Sequence, residues 1–163
     1  MKTLITGGKS SQALKLLKAF TENQVLLADY GETPSFSSAQ YQFISLGDRN
    51  EDTTAHNLLS VCLDQEADCL LPLYIFELEA VVKSLILFEE FNIHVLLPDL
   101  ATFPLYPLSG ASNTQSWAVY NRGELIYASA PELQPGGNTV GLNGVFYIDQ
   151  TPEGIKRTLF TVS

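Results

Sequence analysis

The sequence is short of basic residues, since 9 lysines and arginines stand against 18 aspartates and glutamates, for a formal net charge of −9. No basic stripe is present, which excludes nucleic acid and anionic membranes as expected partners. Long hydrophobic runs are also absent. The first apolar pair, Leu4-Ile5, is followed almost at once by glycines, so no signal peptide is expected, and no run reaches the length of a membrane span. A cytoplasmic protein is therefore expected.

Cysteine and histidine are equally scarce. The two cysteines, Cys62 and Cys69, fall in a predicted helix and a predicted buried strand, which favours packed thiols over a disulfide or a redox pair. His56 and His94 have no partner at ligand spacing, so no metal site is expected. With 163 residues and 45% hydrophobic content, the chain is long enough for one domain with a real core, or one domain with an appendage.

The first dozen residues carry the clearest local pattern. A short apolar run over residues 3–6 stops at Gly7-Gly8, and Ser10-Ser11 then open a stretch with helical spacing over residues 11–20. This order predicts the strand, tight turn and helix that begin a nucleotide-binding βαβ unit. The glycines allow a sharp turn and close approach of a ligand, and the N–H groups at a helix start favour an anion.

Strands and helices continue to alternate over the first hundred residues. Further strands are predicted at 24–29, 41–46, 68–72 and 93–97, and further helices at 52–66 and 75–91, the first of them capped by Asp52, Thr53 or Thr54. This alternation is typical of an α/β fold with a Rossmann-like, doubly wound parallel sheet. A strand order of 3-2-1-4-5 places a crevice between the first and fourth strands, at the topological switch point.

The last third of the chain has a different composition. Residues 102–114 are typical of a linker or long loop, and two hairpins are predicted, around Asn121-Arg122-Gly123 and around residues 151–154, separated by a break at 135–138. We therefore expect a Rossmann-like domain over 1–100, and a linker with a small antiparallel β-hairpin appendage over 101–163. The appendage carries aromatic residues suited to a core or an interface: Trp117, Tyr120, Tyr127, Phe146, Tyr147 and Phe160. Two solutions stay open, a homodimer or docking within the chain.

Two familiar motifs do not fit the glycine turn. In a P-loop ending at Gly8-Lys9-Ser10, the first glycine would fall on Thr3, inside the strand. A short-chain dehydrogenase turn would require glycines where Ser11 and Ala13 stand, and the sequence contains no Tyr-x-x-x-Lys pair.

The segment Leu-Ile-Thr-Gly-Gly-Lys-Ser-Ser-Gln-Ala-Leu-Lys-Leu resembles the start of the Rossmann-like domain that precedes an ATP-grasp fold in carbamoyl-phosphate-synthetase-like ligases. The resemblance continues through residues 25–29, 68–72 and 93–98, and so covers the first hundred residues. Such families often carry a glutamate on the helix after the fourth strand, where Glu77 or Glu79 stands. The resemblance implies a small-molecule ligand, either a nucleotide or another anionic compound.

The chain departs from that family after the fifth strand. ATP-grasp ligases continue with a lysine that binds ATP phosphates and with acidic Mg²⁺ ligands, and residues 101–163 lack this pattern. Either the chain is a fragment of a longer ligase, or the fold is used without its catalytic half. We expect a ligand-binding or accessory domain without a complete catalytic apparatus. The alternatives are an NAD(P)-binding oxidoreductase-like protein of short-chain type and a self-associating interaction module.

The expected ligand site lies at the carboxyl ends of the first, second and fourth strands, with no metal and no assigned catalytic residue. Its candidate residues are Gly7, Gly8, Lys9, Ser10, Ser11, Asp29, Pro72 and Tyr74. Lys9 opposes the helix dipole, a cost that a bound anion would offset, although a solvated lysine explains it equally well. Asp29 could accept hydrogen bonds from ribose hydroxyls or cap the Tyr30-Gly31 turn. Arg49 could reach a phosphate or carboxylate from the rim of the third strand, or pair with one of the neighbouring acids Asp48, Glu51 and Asp52.

Overall fold

The computed structural model describes residues 1–108, 116–130 and 141–162. Contacts divide the chain into two compact units, one comprising Met1–Val95 together with Val162, and the other Leu96–Thr161. The predicted break at 135–138 and most of the second half of the predicted linker lie outside the described residues. No helix within the described ranges is long and apolar enough to cross a membrane.

The first unit is built on a parallel sheet that confirms the predicted order 3-2-1-4-5. Its strands are β1 (Lys2–Ile5), β2 (Gln24–Asp29), β3 (Tyr41–Ser45), β4 (Cys69–Leu71) and β5 (His94–Val95). The α-helices that connect them are α1 (Ser11–Leu16), α2 (Thr54–Asp64), α3 (Ile75–Lys83) and α4 (Leu85–Glu90). The central strands β1 and β4 pair in register from Thr3↔Cys69 to Ile5↔Leu71, so the switch point lies between their carboxyl ends.

The core of this unit follows from the continuous apolar runs in its strands. Leu4, Ile5, Leu26, Leu27 and Leu70 have no exposed surface, as expected for parallel strands covered on both faces. Cys62 and Cys69 belong to this core as buried thiols, and burial raises the pKa of the Cys62 thiol to about 12. An unreactive packing role for Cys62 follows.

Two local expectations require correction. The helix predicted over 75–91 is interrupted at Ser84, whose φ of −111° and ψ of 14° end α3, so α4 begins as a separate helix. Serine favours such an interruption because its side chain competes for backbone hydrogen bonds. Thr53, one of the predicted caps, stands at the N-cap position of α2, but its side chain makes no capping hydrogen bond. The side chain of Asn50, which is not among the predicted caps, accepts from the N–H of Asp52 and caps the 3-10 turn that precedes α2.

The second unit contains an antiparallel sheet in the order β7-β6-β8-β9, which confirms the predicted β appendage. Its strands are β6 (Trp117–Asn121), β7 (Glu124–Ala128), β8 (Gly144–Thr151) and β9 (Gly154–Leu159). The central strands are buried over 117–120 in β6 and 144–148 in β8, and the ring of Tyr106 contacts that of Phe146 at 5.0 Å between centroids. On the opposite face Tyr147 and Phe160 stack at 4.5 Å. Five of the six aromatic residues predicted for this region are thus buried, and the sixth, Tyr127, is half-buried against Trp117.

Candidate functional site

The turn after β1 is held tightly against β2. Gly8 donates its N–H to the carbonyl of Ala28 at 2.9 Å, and a Cβ at position 8 would lie 2.6 Å from the backbone carbon of Leu27. Only glycine fits there. Gly7 adopts a φ of +66°, a conformation that glycine takes without strain. The glycine pair therefore serves the approach of the turn to its own sheet.

The same turn uses many of its hydrogen-bond donors within the chain. The N–H of Lys9 donates to Oδ2 of Asp29 at 3.0 Å, and the N–H of Ser10 donates to the carbonyl of Gly7 at 2.9 Å. Ser10 is the N-cap of α1, with its Oγ accepting from the N–H of Ala13 at 3.1 Å. A ligand that used the N–H groups of Lys9, Ser10 or Ala13 would have to replace these internal bonds.

Two buried carboxylates lie beyond the carboxyl ends of the strands. Asp29 ends β2 with 2% of its surface exposed, and Glu77, in the first turn of α3, has none. Oδ1 of Asp29 accepts from the N–H of Tyr30 at 2.8 Å and from the hydroxyl of Tyr74 at 2.7 Å. The predicted turn-capping role of Asp29 is therefore present, and Tyr74, which was predicted for the site, contacts it directly.

Glu77 is held by three different elements. Its Oε1 accepts from the hydroxyl of Thr6, just after β1, at 2.6 Å and from the N–H of Tyr74 at 3.3 Å, while its Oε2 accepts from the hydroxyl of Tyr30 at 2.6 Å. Thr6 in turn accepts from the N–H of Leu73 at 2.7 Å. We call the five side chains Thr6, Asp29, Tyr30, Tyr74 and Glu77 the acid–tyrosine network.

The network places unusual electrostatics at this edge of the sheet. Burial raises the pKa of Glu77 to about 7, against the opposing effect of its hydrogen bonds from Thr6 and Tyr30. Burial also raises the pKa of Tyr30 and Tyr74, assisted by Glu77 for the first and by the hydrogen bond to Asp29 for the second. Both phenols therefore remain protonated donors at neutral pH, and the carboxyl group of Glu77 keeps its proton to a higher pH than an exposed glutamate does.

Aromatic rings and two cations lie on the outer side of the network. The rings of Tyr30, Tyr74 and Phe76 are 5.3 to 5.9 Å apart between centroids. The guanidinium of Arg49 lies 3.6 Å above the centre of the Phe76 ring and pairs with Glu51, one of the neighbouring acids expected for it. An open surface depression of about 660 Å³ is lined by residues 48–52. Lys9 directs its Nζ to the carbonyls of Tyr30 and Glu32 at 3.0 and 3.1 Å.

The structure thus brings several candidate residues together and separates others. Asp29 accepts hydrogen bonds from the N–H of Lys9 and from the hydroxyl of Tyr74. Gly7 lies beside Leu73, near the switch point. Ser10 caps α1, Ser11 is exposed at the start of that helix, and Pro72 is buried after β4. Glu79, the other acid of α3, is exposed and pairs with Lys83.

Thr6 and Tyr30 are not among the predicted site residues, and the sequence points to Glu77 only through the family resemblance and as an acid favoured in the first turn of a helix. The available signal was positional: Thr6 and Tyr30 directly follow the first two strands, where side chains reach the carboxyl edge of the sheet. Among the described residues, no group of three or more histidine, cysteine, aspartate or glutamate side chains is arranged to hold a metal ion.

Comparison with known proteins identifies no family for this chain. No family model and no curated protein sequence matches the chain. Among solved structures, glycinamide-RNase-transformylase T from Mycobacterium tuberculosis is 15% identical over 58% of this chain and 28% of that one, with a TM-score of 0.41. dTDP-glucose 4,6-dehydratase from Bacillus anthracis str. Ames, in complex with NAD, is 14% identical over 80% of this chain and 45% of that one, with a TM-score of 0.38. The chain therefore spans less than half the length of either protein, and neither likeness carries an argument about activity.

Proposed function

We propose that the Rossmann-like unit is a ligand-binding or accessory module that takes a nucleotide or another small anionic compound at the carboxyl edge of β1, β2 and β4. The observation that carries the proposal is the acid–tyrosine network, which concentrates buried polar groups at this edge. On the resemblance of its first hundred residues, the module corresponds to the N-terminal domain of ATP-grasp ligases, used without a complete catalytic apparatus.

Burying a carboxylate has an unfavourable desolvation free energy, and apolar side chains would pack the glycine turn against α3 without it. Here the two carboxylates, Asp29 and Glu77, are buried at the edge where open α/β sheets bind their ligands. Their hydrogen bonds orient the hydroxyls of Tyr30 and Tyr74 before any ligand arrives. Such a preorganised set of polar groups supports a binding role for this edge.

The surroundings of the network favour a ligand with both a planar ring and a negative charge. The rings of Tyr30, Tyr74 and Phe76 offer apolar faces for a base, and Arg49 already stacks on one of them. Lys9 reaches the rim through its Nζ, where it could exchange two carbonyl partners for a phosphate. Because the chain carries a net charge of −9, these two cations would provide the local attraction.

Binding of AMP, ATP and inorganic phosphate, measured by isothermal titration calorimetry, tests the proposal. We expect saturable binding of at least one nucleotide, weakened about tenfold by Lys9→Ala because one charge-assisted contact is lost. Lys18→Ala, at an exposed position after α1, is the matched control and should bind like the unaltered chain. No saturable binding, or equal weakening by both variants, would refute the proposal.

We further predict that the isolated chain neither hydrolyses ATP nor reduces NAD(P)⁺ above background. The reason is that residues 101–163 lack the ATP-grasp lysine and magnesium ligands, and the sequence lacks the Tyr-x-x-x-Lys pair. A coupled phosphate-release assay and absorbance at the nicotinamide band measure the two activities. Turnover that disappears in Lys9→Ala would contradict the absence of a catalytic apparatus.

A further inference from the structure

A residue near the end of the sequence lies at the mouth of the crevice between β1 and β4. Val162 forms a parallel bridge with Tyr74. Its N–H donates to the carbonyl of Leu73 at 2.7 Å, and its carbonyl accepts from the N–H of Ile75 at 3.1 Å. Two backbone hydrogen bonds therefore hold Val162 along the segment that follows β4.

The side chain of Val162 faces the glycine turn on the other side of the crevice. A Cβ placed on Gly7 would lie 3.5 Å from Cγ2 of Val162 and 3.7 Å from Cβ of Leu73. These are ordinary van der Waals distances, so a methyl group at position 7 would just touch Val162, and the valine side chain faces Gly7 across the crevice. Val162 thus pairs with the segment that follows β4 and faces the turn that follows β1, the two strands that flank the switch point.

Segment 73–75 also carries the groups that would meet a ligand. Tyr74 supplies its hydroxyl to Asp29 and its N–H to Glu77, and it is the residue to which Val162 is bridged. By pairing with this backbone, Val162 occupies the carbonyl of Leu73 and the N–H of Ile75, which are the kinds of group that a bound molecule would use. Anything that binds against Gly7 and residues 73–75 must first displace Val162.

We propose that Val162 is an autoinhibitory strap that covers the proposed nucleotide site and is released when the nucleotide binds. This inference rests on the proposed function and adds its regulation. While the strap is docked the crevice is closed, so the apparent affinity is reduced by the fraction of molecules in which it is open. Release of the strap by other means therefore strengthens binding.

Two variants at one position separate the backbone bridge from the side chain. Val162→Pro removes the N–H that donates to Leu73, because proline has none. Val162→Ala keeps both backbone hydrogen bonds and is the matched control. With AMP as the probe in calorimetry, we expect the Kd of Val162→Pro to be about tenfold lower than that of the unaltered chain, and the Kd of Val162→Ala to lie within about threefold of it.

Hydrogen exchange on the unaltered chain provides a second measurement that depends on no variant. The N–H groups of Val162 and Ile75 should be protected without AMP and should exchange faster when AMP is saturating, because both donate within the bridge. This measurement decides the matter if Val162→Pro does not fold.

Failure of the strap and failure of nucleotide binding give different results in these measurements. If AMP binds with the same Kd to the unaltered chain and Val162→Pro, and the two amides stay protected in the complex, the strap is refuted while ligand binding stands. If AMP binds to neither the unaltered chain nor the proline variant, the strap is refuted together with AMP binding at this site. A lower Kd in Val162→Pro together with exposed amides in the AMP complex supports the strap.

Discussion

At the scale of single residues, Glu77 is the most consequential side chain of the site. It is fully buried and its carboxylate accepts hydrogen bonds from Thr6, Tyr30 and Tyr74. Burial outweighs these bonds and raises its pKa from 4.5 to about 7. Between about pH 4.5 and 7, the folded chain therefore keeps on Glu77 a proton that the unfolded chain releases. Asp29, Tyr30 and Tyr74 are the titratable groups around it, and Arg49 acts on Tyr74 from outside the network.

This raised pKa predicts how stability changes with pH. The contribution of Glu77 is fully present below about pH 4.5 and is lost as pH rises through about 7, because the unfolded chain then releases its proton more readily. At about 1.4 kcal/mol per pKa unit, the loss is on the order of 3 kcal/mol. Urea unfolding followed by circular dichroism from pH 4 to 8 measures it.

Glu77→Gln should flatten this pH dependence, because the side-chain amide is neutral from pH 4 to 8. The amide can still form hydrogen bonds with the hydroxyls of Thr6 and Tyr30. Glu79→Gln, on the same helix but exposed and paired with Lys83, is the matched control and should retain the slope of the unaltered chain. If the free energy of unfolding of Glu77→Gln depends on pH as steeply as that of the unaltered chain, the titration of Glu77 does not cause the pH dependence.

At the scale of elements, the turn between β1 and α1 is the feature that the sequence predicts most directly. The structure, however, gives its glycines a different role from the predicted one. The Gly7-Gly8 pair indicates a turn that approaches a ligand closely. In the structure, Gly8 approaches β2 instead, at a distance that leaves no room for a Cβ. The close approach therefore positions Lys9 and Asp29 relative to each other.

Gly8→Ala should consequently destabilise the fold by about 3 kcal/mol, the upper range for forcing an atom into packed surroundings. The added methyl group would meet the backbone of Leu27 and Ala28, which cannot rotate away. Gly47→Ala is the control: position 47 has a φ of +77° and open space, so it costs only backbone strain of about 1 kcal/mol. Equal losses for the two variants in urea unfolding would show that the turn can shift away from β2.

How much the sequence reveals differs between elements. The alternation of apolar runs with helical spacing is enough to predict a parallel sheet with connecting helices, and the order 3-2-1-4-5 follows from the usual arrangement of doubly wound sheets. The break at Ser84 is hidden, since the apolar spacing continues across it. An acid in the first turn of α3 is already favoured by the helix dipole, so Glu77 gives no sign of its network. The bridge between Tyr74 and Val162 joins residues 88 positions apart, so no local sequence pattern predicts it.

At the scale of the whole molecule, the antiparallel sheet of the second unit determines which surfaces remain for self-association. Trp117, Tyr120, Phe146, Tyr147 and Phe160 are each at most 4% exposed, so these aromatic residues are already covered within the chain. The edges of that sheet are β7 and β9. β7 presents Ile126 with 46% of its surface exposed, and an edge strand of this kind pairs readily with another chain.

We propose that two chains pair through β7 in a symmetric dimer. Light scattering should give twice the chain mass of 17.9 kDa, and Ile126→Lys should reduce it to the monomer mass by placing a charge at the edge. Ile86→Lys, at a position that is 74% exposed on α4, is the matched control and should remain dimeric. A monomer mass for the unaltered chain at every concentration would contradict the dimer.

The central claim, that a ligand binds at the carboxyl edge of β1, β2 and β4, is tested most directly by mapping amide chemical shifts during a titration with AMP. We predict saturable shifts concentrated at Gly7, Gly8, Lys9, Asp29 and Tyr74, because these amides lie in or beside the crevice and the acid–tyrosine network. Shifts that saturate at a different surface, with these five amides unmoved, would contradict the claim.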